Sequence, residues 1–289
     1  MSIFVNKETK VICQGLTGTQ ASFHVQRSLD NGTRVVGGVT PGKGGTMHLN
    51  LPVFDTVKEA VAETGATASV MYVPANSVKN AVREAVEAEL DLAVCIADSV
   101  PLKDMLDIKA MLKGSKTRLI GPNTPGIITP REACLGVFPE NIHNPGDIGI
   151  VSRSSTLTYE AVLETNRAGY GQSTVLGLGD DVLIGMDFID VLSAFDADEK
   201  TRAVVMIGQL GGGFEEAAAS WYKNQDHKKP IIAFVAGNAI PFGHKMGYAG
   251  DIITNGYISV QDKKDALIDA GITVVDHIND IHLKLAELA

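Results

Sequence analysis

From one end to the other, the chain alternates short runs of consecutive apolar residues with helical stretches, a pattern few architectures accommodate. In the first half the runs fall at 11–15, 34–39, 68–74, 92–98 and 118–122. Each is rich in Val and Ile and apolar on neighbouring positions, as a parallel strand covered on both faces must be. Helical stretches fall between them, at 19–29, 56–64, 76–88 and 102–112. This order predicts a doubly wound parallel sheet.

The stretch 124–147 breaks the rhythm. It carries Pro125, Pro130, Pro139 and Pro145 with Gly126, Gly136 and Gly146 and has no clean period, so it is expected to be an ordered crossing between domains. The alternation then restarts, with strands expected at 149–154, 173–177, 203–208, 231–235, 251–254 and 273–275. Helices fit at 156–168, 186–195, 214–222, 260–270 and 278–288, and Ser259 ahead of Asp262 predicts a capping box for the fourth of these. The expected division is therefore 1–123, a crossing at 124–147, and a second α/β domain over 148–289, which suits a chain of 289 residues.

Composition removes several function classes. A hydrophobic content of 45 % with 20 % charged residues is globular and leaves no room for a long disordered tail. No apolar run approaches the ~20 residues of a membrane span. The opening residues lack the charged, apolar and small regions of a secretory signal, so a cytoplasmic protein is expected, or a mitochondrial-matrix one if a transit peptide has been removed. A net charge of −9 argues against nucleic acid and anionic membranes as partners. Three cysteines (Cys13, Cys95, Cys134) without a CxxC pair exclude a thiolate zinc site, and the histidines lack metal-ligand spacing. No metal site is expected.

The first strand runs into Gly15-Leu16-Thr17-Gly18-Thr19-Gln20 and then a helix. Such a turn is either purely structural or a place where backbone N–H groups receive phosphate. A nicotinamide dinucleotide would want a carboxylate at the end of the second strand, but that strand ends Val36-Gly37-Gly38-Val39. It continues into Thr40-Pro41-Gly42-Lys43-Gly44-Gly45, which offers a cation and more glycines. The pair of segments suits a nucleotide with extra phosphate, not NAD.

Five separated blocks now carry a resemblance: ICQGLTGTQ, GGVTPGKGGT, LPVFDTVKEA, IGPNTPGII and VSRSSTLTYEAV. Together, and in this order, they resemble the small (α) subunit of the succinyl-CoA synthetase family over nearly the whole chain. The resemblance implies an N-terminal Rossmann-like CoA-binding domain followed by a flavodoxin-like ligase domain. It also implies a separate ATP-grasp β subunit, in an αβ or α2β2 assembly, that binds ATP or GTP with Mg. By the same resemblance Gly15, Thr17, Gly18, Thr19, Gln20 and Lys43 hold the nucleotide end of CoA. Ile96, Ala97 and Asp98 line its site and Asn123 stands near the pantetheine; Ala97-Asp98 replaces the family's usual Thr-Glu.

In the second half, Ser152-Arg153-Ser154-Ser155-Thr156 follows a strand and opens a helix. Serines there cap the first N–H groups of a helix, or leave those groups and the helix dipole for a phosphoryl group. The resemblance implies the second role for Ser154 and Ser155, with Tyr159 near the acid substrate. It also implies a phosphohistidine in a GHAG segment. Here that segment reads Gly247-Tyr248-Ala249-Gly250, with Tyr248 at the nucleophile position. A phenol is almost wholly protonated at neutral pH and a poor relay for phosphoryl groups. The family's glutamate after the MIGE strand is Gln209, and the loop Gly177-Leu178-Gly179-Asp180-Asp181 adds two acids beside the expected phosphate pocket. His244, four residues before Tyr248, is either an exposed loop histidine or a rescue nucleophile.

Three functions follow from these residues. The favoured one is the CoA-binding subunit of an ADP- or GDP-forming acid–CoA ligase, acting on a small carboxylic acid by a modified route without the usual phosphohistidine. The alternatives are a CoA or acyl-CoA sensor that has lost its chemistry, and a CoA transferase or lyase that needs no nucleotide. The chain has no GxxxxGK[ST] loop of its own, so the ligase reading requires the partner.

Overall fold

The computed structural model describes residues 2–226, 229–237 and 259–288. The consecutive-apolar runs become parallel strands in two compact units. The first unit comprises Phe4–Glu140 together with Leu183–Met186, and the second Met1–Ile3, Asn141–Val182 and Asp187–Ala289.

In the first unit the strands are β1 (Val11–Gln14), β2 (Val35–Val39), β3 (Met47–His48), β4 (Leu51–Phe54), β5 (Ala68–Met71), β6 (Leu92–Cys95) and β7 (Arg118–Ile120). They form one sheet in the order β3-β4-β2-β1-β5-β6-β7, parallel except for the β3–β4 hairpin. Without β3 this is the 3-2-1-4-5-6 order of a Rossmann sheet. The connecting helices are α1 (Thr19–Asp30), α2 (Val57–Thr64), α3 (Val78–Glu87) and α4 (Leu102–Leu112). Helix α3 shows why they pack: Val78, Ala81, Val82 and Ala85 recur at helical spacing and all are buried. Its stripe joins Ile12, Met71 and Cys95 of the strands in one core.

Two features of this unit depart from the expected pattern. Leu51–Phe54 is a strand, which its proline and short length concealed; Pro52 faces Met47 across the hairpin near the sheet edge, where a missing N–H is tolerated. Within the stretch expected to be a crossing, β8 (Gly126–Thr129) and β9 (Ala133–Gly136) form an antiparallel hairpin. Thr129 Oγ1 donates to the Val5 carbonyl, and the Cys134 N–H donates to Thr33 Oγ1. All three cysteines are buried.

The second unit contains β10 (Pro145–Ser152), β11 (Gln172–Gly177), β12 (Ala203–Gln209), β13 (Ile231–Ala236) and β14 (Thr273–Val275). These run parallel in the order β14-β13-β12-β10-β11, the flavodoxin-like arrangement. Helices α5 (Ser155–Arg167), α6 (Phe188–Ala197), α7 (Phe214–Lys223), α8 (Val260–Asp269) and α9 (Ile281–Ala286) cover them. The capping box of Ser259 and Asp262 is present at α8. The last expected helix is shorter, because its first residues, Ile278–Asp280, form a separate 3-10 turn. The strand expected at 251–254 lies outside the described residues, as do His244 and Tyr248.

Candidate functional site

In each sheet the strand order reverses once, and ligands of open α/β sheets bind beyond the carboxyl ends of the strands at that point. In the first unit the reversal lies between β1 and β5. Gly15 follows β1 with φ +87°, and a Cβ on it would sit 2.6 Å from the Tyr72 carbonyl oxygen just beyond β5. Only glycine takes that conformation without strain and lets the two strand ends approach so closely. The turn closes through the Gly18 N–H, which donates to the Gly15 carbonyl at 2.9 Å.

Gly18 is also the N-cap of α1, and no side chain caps the helix. The first turn holds no acid, and Gly18, Thr19 and Gln20 are exposed. Beyond the Gly18 N–H, which is used within the turn, no side chain among the described residues caps the first N–H groups, and with the positive end of the helix dipole they face an accessible surface suited to an anion. A cation stands beside them: Lys43 Nζ donates to Thr17 Oγ1 at 3.0 Å, and Thr17 Oγ1 lies 3.3 Å from Thr40 Oγ1. The lysine loop owes its shape to Asp55, which accepts from the N–H groups of Gly42 (2.7 Å) and Gly44 (2.9 Å). A Cβ on Gly44 would lie 2.5 Å from Asp55 Oδ2. Asp55 was not singled out in the sequence, although an acid directly after LPVF is its mark.

Ile96, Ala97 and Asp98 follow β6 at the same end of the sheet, and Asn123 joins them by donating its N–H to the Ala97 carbonyl at 2.8 Å. Ile96, Ala97 and Asn123 are half-buried and Asp98 is exposed. On the other side of the turn, the His24 and Tyr72 rings stack with centroids 5.7 Å apart. Burial pushes the Tyr72 phenol well above its ordinary pKa. Burial, with Arg27 nearby, holds the His24 imidazole below the usual histidine value. The open helix start, the threonines, the lysine and the glycine cradle together fit the phosphates of a nucleotide-like ligand such as CoA.

In the second unit the reversal lies between β10 and β12. Ser154 is the N-cap of α5 and its Oγ accepts from the Leu157 N–H at 3.3 Å, so the capping role is present. Ser152 Oγ reinforces the turn by donating to the Ser154 carbonyl and accepting from the Ser154 N–H. Ser155 and Tyr159 are half-buried on the first two turns. Across the crevice Gln209 ends β12. Its Nε2 donates to Asp180 Oδ1, and its backbone N–H donates to Glu215 Oε1 at 3.0 Å. The residue thus meets Asp180 through its side-chain amide and Glu215 through its backbone N–H, and an acid side chain in its place would be repelled by Asp180.

Beneath this crevice lies an ionic cluster of Arg153, Glu215 and Lys263 that the sequence reading did not single out. Its signal was present. Glu215 occupies the buried stripe of α7 with Ala218, Ala219 and Tyr222, and Lys263 that of α8 with Val260 and Leu267. A charge on the apolar stripe of a helix implies a buried partner. Among the described residues no group of three or more His, Cys, Asp or Glu could hold a metal ion.

A family model for the CoA binding domain matches residues 6–99, and one for CoA-ligase matches residues 151–274. The succinate–CoA ligase [ADP-forming] subunit alpha of Staphylococcus epidermidis is 48 % identical over 289 residues, covering 100 % of this chain and 95 % of that protein. The subunit of the same name from Staphylococcus aureus is also 48 % identical over the same coverage. Among solved structures, ATP citrate lyase from Methanothrix soehngenii, in complex with citrate and coenzyme A, superposes with a TM-score of 0.89 at 23 % identity over 99 % of this chain. The dinucleotide-forming acetyl-coenzyme A synthetase 1 of Ca. Korarchaeum cryptofilum gives 0.76 at 17 % over 96 %. This chain spans 50 % and 60 % of those two chains, and at such identities the likeness is one of fold.

Proposed function

We propose, since the chain belongs to the family of succinate–CoA ligase alpha subunits, that it is the CoA-binding half of a nucleoside-diphosphate-forming acid–CoA ligase. The observation that carries this reading is the full-length likeness to such subunits joined to an uncapped α1 with Lys43 bound at Thr17. The same likeness weighs against a purely regulatory CoA-binding role. In this reading Gly15, Thr17, Gly18, Thr19, Gln20 and Lys43 receive the CoA phosphates through N–H groups, hydroxyls and one ammonium. Ile96, Ala97 and Asp98 line the CoA site, and Asn123 stands near the pantetheine.

The partner is an ATP-grasp β subunit that supplies ATP or GTP with Mg, and the substrate is a small carboxylic acid. The acid's carboxylate oxygen attacks the γ-phosphorus, releasing the nucleoside diphosphate and leaving an acyl phosphate. The CoA thiolate then attacks the acyl carbon, and inorganic phosphate departs. In this chain Ser154, Ser155 and the start of α5 stabilise the phosphoryl group, and Tyr159 contacts the acid. Two residues support a route without phosphohistidine: Tyr248 stands at the nucleophile position and Gln209 replaces the carboxylate that would orient a histidine. The bacterial relatives fit a cytoplasmic enzyme, and nothing favours the mitochondrial alternative.

The test incubates the chain and its co-expressed partner with γ-labelled ATP, CoA and a panel of acids. Consumption of CoA thiol with no label on the protein is expected. Acid-labile, base-stable label would restore phosphohistidine chemistry, with His244 as first candidate. The absence of both label and thiol consumption would overturn the ligase reading and leave the CoA-sensor alternative.

A further inference from the structure

The ionic cluster under the second crevice is sealed from water: Arg153 is 1 % exposed, and Glu215 and Lys263 are 0 % exposed. Glu215 Oε2 accepts from Lys263 Nζ at 2.7 Å. Its Oε1 accepts from the Gln209 backbone N–H at 3.0 Å and lies 3.8 Å from Arg153 Nη1. Lys263 Nζ also donates to the Gly212 carbonyl at 2.7 Å and to Glu216 Oε2 at 3.0 Å. Arg153 Nη1 donates to the Gly211 carbonyl at 3.0 Å, and its guanidinium lies 4.5 Å from the centre of the Phe214 ring.

Such a cluster is a poor source of net stability, because desolvation of the charges offsets their attraction. What it imposes is geometry, since a carboxylate with several fixed partners in a low-dielectric interior has few alternative positions. The parts it joins are those that border the crevice. Gln209 ends β12, Arg153 immediately precedes the N-cap of α5, and Lys263 stands in the first turns of α8. Gly211 and Gly212 adopt φ of +85° and +64°, and each of their carbonyls is held by one of the buried cations. A Cβ on Gly208 would lie 2.7 Å from Glu215 Cγ, so the strand end is shaped around this side chain.

We infer that Glu215 is a positioning residue for the reaction at this crevice: through Gln209, Arg153 and Lys263 it sets the Gly211–Gly212 turn against the start of α5, and so governs the rate of acid activation, not the affinity for CoA. This inference rests on the ligase reading. Misplacement of reacting groups by about 1 Å costs on the order of 100-fold in rate, which is the scale of effect at stake.

Glu215→Gln alone leaves two buried cations facing one remaining carboxylate and is expected to fold poorly. The informative variant is Glu215→Gln with Lys263→Met, which removes one buried charge of each sign, leaves Arg153 on the Gly211 carbonyl and the Phe214 ring, and leaves the partly exposed Glu216 to solvent. It is measured in the full chain with its partner subunit, by thiol-consumption kinetics, thermal melting and amide hydrogen exchange over Gln209–Gly213. Expected are a melting temperature within about 5 °C of wild type, an unchanged KM for CoA, a kcat lower by on the order of 100-fold, and faster exchange at those amides. Wild-type kcat and exchange in the folded double variant overturn the inference. So does a double variant that no longer melts cooperatively, which assigns the cluster to the fold alone. A wild-type complex that consumes no thiol sinks the ligase reading instead, and the exchange at Gln209–Gly213 then decides the positioning claim by itself.

Discussion

Two helix starts in this chain, those of α1 and α5, each follow a strand at the point where its sheet reverses order, and they are finished in opposite ways. At α1 the N-cap is Gly18, without a side chain to satisfy the helix, and the first residues are exposed. At α5 the N-cap is Ser154, 5 % exposed, hydrogen-bonded to the helix and braced by Ser152 and the buried Arg153. The first start leaves its electrostatic capacity for a ligand arriving from solvent, with Lys43 as counter-charge. The second uses part of that capacity internally and gains a fixed position in return. An open cradle suits binding, whereas a braced one suits a group that must be held in register during transfer.

The sharpest way to break this comparison is Gly15→Val. A β-branched side chain at φ +87°, with its Cβ about as close to the Tyr72 carbonyl as the 2.6 Å found for an added Cβ, forces the turn apart. A loss of roughly 3 kcal/mol or more is expected from strain and clash together. Urea melts should show that loss, and calorimetric titration should show no CoA binding. Binding at wild-type affinity would mean that the open turn is not the site.

Lys43→Ala sharpens the same side of the comparison. The lysine is exposed and among the described residues its ammonium bonds Thr17 alone, so melting should be unchanged. Loss of an ammonium from a phosphate site should weaken CoA binding by about 10- to 100-fold, with a shallower salt dependence. Calorimetry at two ionic strengths separates this from a general weakening. An equal loss at both would argue against a phosphate contact.

How much of this was legible in the sequence follows from what each residue type reveals locally. Both sheets were, because a strand buried on two faces must be apolar on consecutive positions. The runs legible in the sequence extend to 74 and 98, whereas the strands end at Met71 and Cys95, because Tyr72, Val73, Ile96 and Ala97 prolong the apolar pattern beyond them. Those overshoots fall on the loops at the carboxyl ends, where ligand sites lie. The turn at Gly15 and the cation at Lys43 could be named, since both belong to short contiguous motifs. Asp55 closing the lysine loop, and Glu215 joining Gln209, Arg153 and Lys263, could not be paired, since the partners are brought together only by the sheet order. The hairpin within 124–147 was hidden by prolines that flank its strands instead of interrupting them.

On the braced side, Ser154→Ala removes the acceptor for the Leu157 N–H. Loss of such a cap costs about 1 kcal/mol, well below the effect expected at Gly15. CoA binding to the isolated chain should not change. A thermal melt with a parallel CoA titration checks both halves, and a fall in CoA affinity would contradict the assignment of α5 to the transfer step.

The smallest expected effect concerns pH and the neighbour of the open turn. The His24 ring stacks on Tyr72 and is held below the usual histidine pKa, first by burial and then by the charge of Arg27. Between that lowered value and the ordinary histidine value, the unfolded chain binds the proton more readily than the folded one, so stability declines as the pH falls through the window and is level above it. An NMR titration of His24 should therefore give a midpoint below that of an unstructured peptide. Arg27→Ala should raise the midpoint only partly, because burial is the larger cause. If Arg27→Ala restored the full ordinary value, charge and not ring burial would be the dominant cause, and the surface beside the α1 turn would be more open than the stacking geometry implies.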